Sequence, residues 1–152
     1  MIVEDGTGLP DADALIDLAY ADAYHAARGH AEWAGADPDK EAAIIRATDY
    51  MGTLPWRSAP LKDDQGTAWP RTGYDGIPAD VRKACAEYAL RALGGTLDPD
   101  PSVDPAVEEI SEQIGPLRRS SRYRAAAPRR RAYPAADRMI AKYLSYCSRV
   151  VA

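Results

Sequence analysis

The sequence contains no phenylalanine and very little cysteine or histidine. Its two cysteines, Cys85 and Cys147, lie far apart and match neither a CxxC redox motif nor a zinc-ligand pattern, which favours a reduced, intracellular protein. Its two histidines, His25 and His30, are separated by about 140° around an ideal helix, so they would not share one helix face. We therefore predict no metal site and no cofactor.

Motifs that carry catalysis or place a chain in a membrane are also missing. The sequence has no Gly-rich phosphate loop, Gly-x-Ser-x-Gly elbow, His-Glu-x-x-His pair or EF-hand loop. The N-terminal stretch EDGTGLPDADAL is acidic but lacks the ligand spacing of a calcium loop, and we interpret it as a flexible leader. It does not resemble a signal peptide, and no segment approaches the ~18 apolar residues of a membrane span. We expect a soluble protein with no catalytic residues, no enzymatic activity and no membrane contact.

The chain is rich in tyrosine and tryptophan, and its charge is unevenly distributed. Nine tyrosines and three tryptophans supply large apolar rings that carry a polar group, which suit interfaces as well as cores. The net charge is −4, but residues 1–100 hold 18 acidic and 9 basic side chains, whereas residues 101–152 hold 5 acidic and 10 basic ones. This asymmetry indicates an acidic body and a basic C-terminal arm. We divide the chain into a helical core domain (1–100), a linker with the basic arm (101–131) and a C-terminal helix (132–152).

Capping residues and apolar periodicity predict a mainly α fold, a small bundle of about four helices. Asp17 can cap the first helix and Gly29 can end it, while Asp37 followed by Pro38 suits the unpaired amides at the start of the second. The third begins at Pro78, and the last carries apolar residues at helical spacing. The predicted helices cover residues 17–28, 37–51, 78–93 and 135–148.

A long loop, residues 52–77, separates the second helix from the third. Prolines and glycines interrupt it throughout, and at about 25 residues it is longer than most connections in a compact domain. Such a loop either packs through its own side chains or serves a function. The side chains that we predict to pack it are Trp56, Trp69, Pro70 and Tyr74.

A second irregular region precedes the last helix. Residues 107–114 and 117–123 flank Gly115-Pro116, which predicts a β-hairpin or an extended arm, although the Glu-rich half is also compatible with a helix.

Arginine dominates the second half of that region. Residues 117–131 hold seven arginines and no acidic residue, with Tyr123 inside the run and Tyr133 just beyond it. Guanidinium groups bind phosphate through paired hydrogen bonds and stack on bases, so this run is a candidate nucleic-acid strip. It is equally suited to dock on an acidic protein surface, including the acidic body of a neighbouring copy. The seven are Arg118, Arg119, Arg122, Arg124, Arg129, Arg130 and Arg131.

Four segments, in this order along the chain, resemble a family of small tailed-bacteriophage proteins. They read YADAYHAARG, AWPRTGYDGIPADVRKACAEYALRAL, EEISEQIGPLRRSSRYR and YPAADRMIAKYL, and together they cover most of the chain. The Trp-Pro-Arg stretch followed by Ile-Pro and a helix is the most specific of them. Members of this family stand among the head-tail connector proteins (adaptor or head-completion proteins) and are often labelled DnaT-like single-stranded-DNA-binding proteins.

The resemblance implies a structural protein of the virion neck that is present in the host cytoplasm during assembly. It predicts a homo-oligomeric ring, a dodecamer, that joins the portal to the tail, contacts a tail-side stopper or tail-terminator protein, and continues the channel for packaged double-stranded DNA. Arg118, Arg119, Arg122 and Arg124 would lie at a subunit interface or in that channel. The residues that the resemblance implies for docking on the portal are Arg129, Arg130, Arg131, Tyr133, Met139, Ile140, Tyr143 and Leu144.

The alternative is a single-stranded-DNA-binding protein that acts in phage replication. Tyr123 and Tyr133 would then stack on bases while the arginines follow the phosphates. The negative net charge and the lack of an OB-fold pattern of strands argue against it, so the ring adaptor is the function we expect from the sequence.

Overall fold

The computed structural model describes residues 1–98, 109–114, 117–122 and 132–145. These ranges contain a mainly α fold with one two-stranded antiparallel sheet, which confirms the fold class predicted from the sequence. The elements are α1 (Leu18–Ala26), α2 (Asp37–Gly52), α3 (Ala79–Gly94), β1 (Glu109–Ile114), β2 (Leu117–Arg122) and α4 (Pro134–Ile140), which a 3₁₀ turn (Ala141–Tyr143) follows. Residues 1–97 pack with residues 132–145 in one compact unit, which we call the helical unit; the hairpin belongs to a second unit, Asp98–Arg131.

The first three helices begin and end within two residues of the predicted positions. The Asp17 carboxylate accepts a hydrogen bond from the backbone amide of Tyr20 at 2.6 Å and so caps α1. Ala36 rather than Asp37 is the N-cap of α2, which places Asp37 in the first turn, where the helix dipole favours a negative charge. Pro78 and Gly95 bound α3.

The last helix is shorter than predicted. It ends at Ile140 instead of Ser148, because the backbone that follows forms hydrogen bonds with the long loop instead of continuing the helix. The amide of Arg57 donates to the carbonyl of Tyr143 at 3.0 Å, and the amide of Ser145 donates to the carbonyl of Pro55 at 2.8 Å. Cys147 lies outside the described residues.

Small side chains let the helices of the helical unit pack closely. Three alanines of these helices, Ala43, Ala47 and Ala84, have no exposed surface. No large side chain therefore separates α2 from α3 at these positions. Cys85 is also fully buried, and burial raises the pKa of its thiol to about 12. It therefore acts as a small apolar side chain, as the sequence indicated.

The N-terminal stretch is an ordered part of the helical unit, so the prediction of a flexible leader is wrong. The buried Glu4 carboxylate accepts hydrogen bonds from the amides of Gly6, Gly8 and Leu9 at 3.0, 2.7 and 2.8 Å, which folds the acidic turn around it. A Cβ on Gly66 would lie 2.3 Å from the carbonyl oxygen of Ala12, so only glycine permits this approach to the long loop.

His25 and His30 lie against each other, contrary to the helical-spacing estimate. The helix ends at Ala26, and Gly29 (φ 63°) turns the chain back, so the angle expected within one continuous helix does not apply. The two Nδ1 atoms are 2.9 Å apart, and Nε2 of His25 is 3.1 Å from the carbonyl of Ala86 on α3. Because a carbonyl only accepts, His25 donates from Nε2, and a neutral His25 ring therefore accepts at Nδ1 from the Nδ1–H of His30.

We predict that this pair makes stability depend on pH. Burial first, and then the charge of His30, lower the pKa of His25 below its usual 6.5. A lowered pKa in the folded state means that the unfolded chain takes up the proton first, so the stabilisation is complete above about pH 6.5 and is lost as the pH falls below it. Urea denaturation at a series of pH values should show this decline.

The control for this prediction is His25→Gln, which keeps a donor and an acceptor but does not titrate. It should lower the free energy of unfolding at every pH and remove the decline between about pH 6.5 and 5. A decline of the same size in both proteins would contradict the assignment to His25.

We also predict that Ile140 is required for the stability of the helical unit. Ile140 has no exposed surface and belongs to the same core cluster as residues of α2 and α3. Replacement by Ala should lower the free energy of unfolding by about 2–5 kcal/mol in urea denaturation, because it leaves a cavity. Arg138→Ala, at an exposed position on the same helix, should change it by less than about 0.5 kcal/mol. Equal effects would mean that α4 does not pack as described.

Candidate nucleic-acid interface

Strand β2 carries three of the seven arginines on a regular backbone. Its sequence is LRRSSR, and it pairs with β1 in the order expected for a tight hairpin. Because residues alternate between the faces of a strand, Arg118 and Arg122 share one face of the hairpin and Arg119 belongs to the other. The hairpin thus presents arginine on both faces.

The register also decides which acidic residues lie opposite the arginines. Arg119 pairs with Glu112 and Arg122 pairs with Glu109, whereas Arg118 pairs with Gln113. Opposite charges directly across two strands stabilise a hairpin by roughly 0.2–1 kcal/mol. The register thus places two of the three arginine positions of β2 opposite glutamate positions of β1.

The rest of the basic run follows β2 in the sequence. Tyr123, Arg124 and the three arginines Arg129, Arg130 and Arg131 lie outside the described residues.

The apolar stripe of the last helix is used inside the helical unit. Ile140 is fully buried, and Met139, Tyr143 and Leu144 are partly buried against the core. Tyr133 also packs inward, with its ring 5.7 Å from that of Tyr50, and its hydroxyl donates to the carbonyl of Leu97. These contacts occupy the stripe that the resemblance implied for docking on the portal.

An aromatic cluster organises the long loop. Trp69 is fully buried, and its ring meets those of Trp56, Tyr74 and Tyr143 edge to face at 5.4, 5.2 and 5.6 Å. Pro70, joined to Trp69 by a cis peptide bond, is buried beside it. All four side chains predicted to pack the loop therefore lie in or next to this cluster.

Arg71 fixes the loop next to the cluster. Its Nε donates to the carbonyl of Ser58 at 2.6 Å, a second guanidinium nitrogen also reaches that carbonyl, and Nη1 donates to the carbonyl of Ala68 at 2.9 Å. Burial lowers the pKa of Arg71, but the group remains a cation. The arginine of the Trp-Pro-Arg stretch thus binds backbone carbonyls rather than a ligand.

Two further cations lie beside Tyr143, and sequence reasoning did not single them out. Arg57 is exposed, and its Nε donates to the carbonyl of Leu144 at 2.6 Å. Nζ of Lys142 lies 5.0 Å from the centre of the Tyr143 ring and forms an ion pair with Asp80 at 2.6 Å. That hydrogen bond to Asp80 raises the pKa of Lys142. Lys142 lies in the segment YPAADRMIAKYL, next to Tyr143, whereas only the fold brings Arg57 to this turn.

In the described part of the chain, the His, Cys, Asp and Glu side chains form no group of three that could hold a metal ion. A surface cavity of about 420 Å³ lies between the N-terminal turn and α3, with Ile16, Tyr20, Ile77 and Arg82 among its lining. Within the same ranges no helix has the length and apolar character needed to cross a membrane.

Comparison with protein families gives one whole-chain match. Residues 1–152 match the family described as "Putative DnaT-like ssDNA binding protein". Comparison with curated proteins gave no match, and neither did comparison with solved structures.

This match corrects the function expected from the sequence. We expected a ring adaptor of the virion neck with the portal, neighbouring copies, a stopper or tail-terminator protein and packaged double-stranded DNA as partners. The family description names single-stranded DNA instead, which was the alternative, and nothing in the match refers to a connector. The part of the resemblance that concerned the DnaT-like label is confirmed over the full length of the chain. The chain belongs to the DnaT-like ssDNA-binding protein family.

Proposed function

We propose that this protein binds single-stranded DNA and that strand β2 is a principal phosphate-binding element. The observation that carries the proposal is the concentration of arginine on β2, three of six residues, at the start of a run that contains no acidic residue up to Arg131. Membership of the DnaT-like family supports the choice of ligand.

A hairpin suits this role because it holds charges at a fixed spacing along its length. Successive residues on one face of a strand are about 7 Å apart, which is close to the spacing of phosphates in an extended single strand. Arginine binds each phosphate through a planar pair of donors and does not lose its charge. Arg118 and Arg122 share a face with Ser120 between them, so they are about 14 Å apart and can contact every second phosphate of one backbone.

The negative net charge of −4 does not exclude such binding. Exposed charges more than about 8–10 Å from a phosphate are largely screened at physiological salt, so the arginines nearest to the strand determine the attraction. The excess of acidic residues lies in positions 1–100, outside the arginine run.

We predict a salt dependence that β2 controls. Each phosphate neutralised on a single strand contributes about −0.7 to the slope of log affinity against log salt. Replacing Arg118, Arg119 and Arg122 together by Gln should therefore make the slope shallower by about 2, as measured by fluorescence anisotropy with labelled oligothymidine over a range of NaCl concentrations.

Two matched variants make this measurement specific. Arg82→Gln removes an exposed arginine from α3 of the helical unit and should leave the slope nearly unchanged. Glu112→Gln removes the acidic residue opposite Arg119 and should tighten binding, because less positive charge is neutralised within the hairpin. If the wild-type protein does not bind oligothymidine at low salt, the proposed function is wrong.

A further inference from the structure

Tyr74 is unusual among the aromatic residues of the helical unit because it faces solvent. Trp69, Tyr88 and Tyr50 are almost completely buried, whereas Tyr74 is 37% exposed, the one aromatic side chain among the exposed large hydrophobic residues of the described ranges. Part of its ring surface is therefore accessible to a ligand, and burial of that surface would stabilise a complex.

Backbone conformation, one hydrogen bond and ring contacts define the position of Tyr74. Gly73 (φ 88°) and Gly76 (φ 63°), on either side of it, adopt left-handed conformations that other residues rarely take, and its amide donates to the carbonyl of Arg71 at 3.2 Å. Arg71 is itself bound to the loop carbonyls described above. The Tyr74 ring also rests on Trp69 and on Tyr143, whose ring centre is 5.4 Å away. Little conformational entropy would be lost when a flat ligand stacks on such a ring.

The surroundings of Tyr74 favour a ligand that combines a flat ring with a negative charge. The Arg57 side chain donates to the carbonyl of Leu144, the residue after Tyr143, and Nζ of Lys142 lies 5.0 Å from the centre of the Tyr143 ring. Lys142 forms an ion pair with Asp80, and the exposed Asp75 follows Tyr74 in the chain. Arg57 is therefore the cation best able to bind a phosphate at this site. A nucleotide meets both requirements, since its base can stack while its phosphate reaches a guanidinium.

We propose that Tyr74, supported by Tyr143 and Trp69, is a base-stacking platform for single-stranded DNA, with Arg57 as its phosphate contact. This inference rests on the proposed function and adds to it a second contact site, on the helical unit. Stacking requires a base that is not enclosed in a duplex, so the platform would select single strands, which the arginines of β2 alone do not.

The test compares oligothymidine with an abasic oligonucleotide that has the same number of phosphates. Fluorescence anisotropy should show that the wild-type protein prefers oligothymidine, and that Tyr74→Ala lowers the affinity for oligothymidine about fivefold or more while affecting the abasic strand little. Tyr74→Leu should behave in the same way, because leucine has no aromatic ring on which a base could stack. This variant keeps an apolar side chain against Trp69 and Tyr143. Circular dichroism of each variant confirms that the helical unit is folded.

Leu61→Ala is the matched control. Leu61 is 44% exposed on the same loop, and its amide donates to the carbonyl of Pro70 at 3.0 Å, but its side chain cannot stack on a base. It should not change the preference for oligothymidine. Arg57→Gln should weaken the binding of both oligonucleotides and should not abolish the preference.

Each outcome decides between the two proposals. If Tyr74→Ala and Tyr74→Leu keep the preference for oligothymidine, or if the wild-type protein has none, the platform is wrong and the role of β2 stands. If Leu61→Ala lowers the preference as much as Tyr74→Leu, the surface is an apolar patch of the kind that docks a protein, and the stacking assignment is wrong. If the wild-type protein binds neither oligonucleotide, both proposals fail.

Discussion

The burial of Trp69 is the constraint on which the helical unit depends. The rings that surround Trp69 are those of Trp56 and Tyr74 in the long loop and of Tyr143 in the C-terminal turn. Among the residues that the structure describes, its buried indole nitrogen has no hydrogen-bond acceptor, so ring contacts hold the side chain in place. Packing around Trp69 therefore fixes the course of the long loop. Arg71 adds hydrogen bonds to the loop carbonyls of Ser58 and Ala68.

Much of this arrangement could be read from the sequence, but only where a local rule applied. Proline, glycine and aspartate at helix ends identified α1 to α3, because capping depends on residues that are adjacent in the chain. The end of α4 could not be found in this way, since the backbone of Pro55 and Arg57, far away in sequence, determines it. The contact between His25 and His30 was missed for the same reason: it depends on where the chain leaves the helix rather than on helical spacing. Arg57 was missed as well, because its contact with Leu144 joins residues that are far apart in the chain.

The apolar stripe of the last helix shows why a sequence pattern alone does not identify a partner. Met139, Ile140, Tyr143 and Leu144 have the spacing of a docking helix, and that spacing is the same whether the surface they cover belongs to another protein or to the same chain. In this fold they cover α3 and the long loop. The hydroxyl of Tyr88 donates to Asp137 at 2.6 Å and the same carboxylate accepts from the amide of Tyr133, so the segment is attached by polar contacts as well.

The two proposed contact sites would contribute to recognition in different ways. Arginines attract any polyanion, and the attraction falls as salt screens it, so a protein that relied on β2 alone would bind duplex and single strands with similar preference. A rigid tyrosine adds a contact that only an unstacked base can make and that salt affects little. As salt weakens the electrostatic contribution of the arginines, the stacking contact supplies a larger share of the affinity. Selectivity for single strands should therefore increase with salt concentration even as the affinity declines.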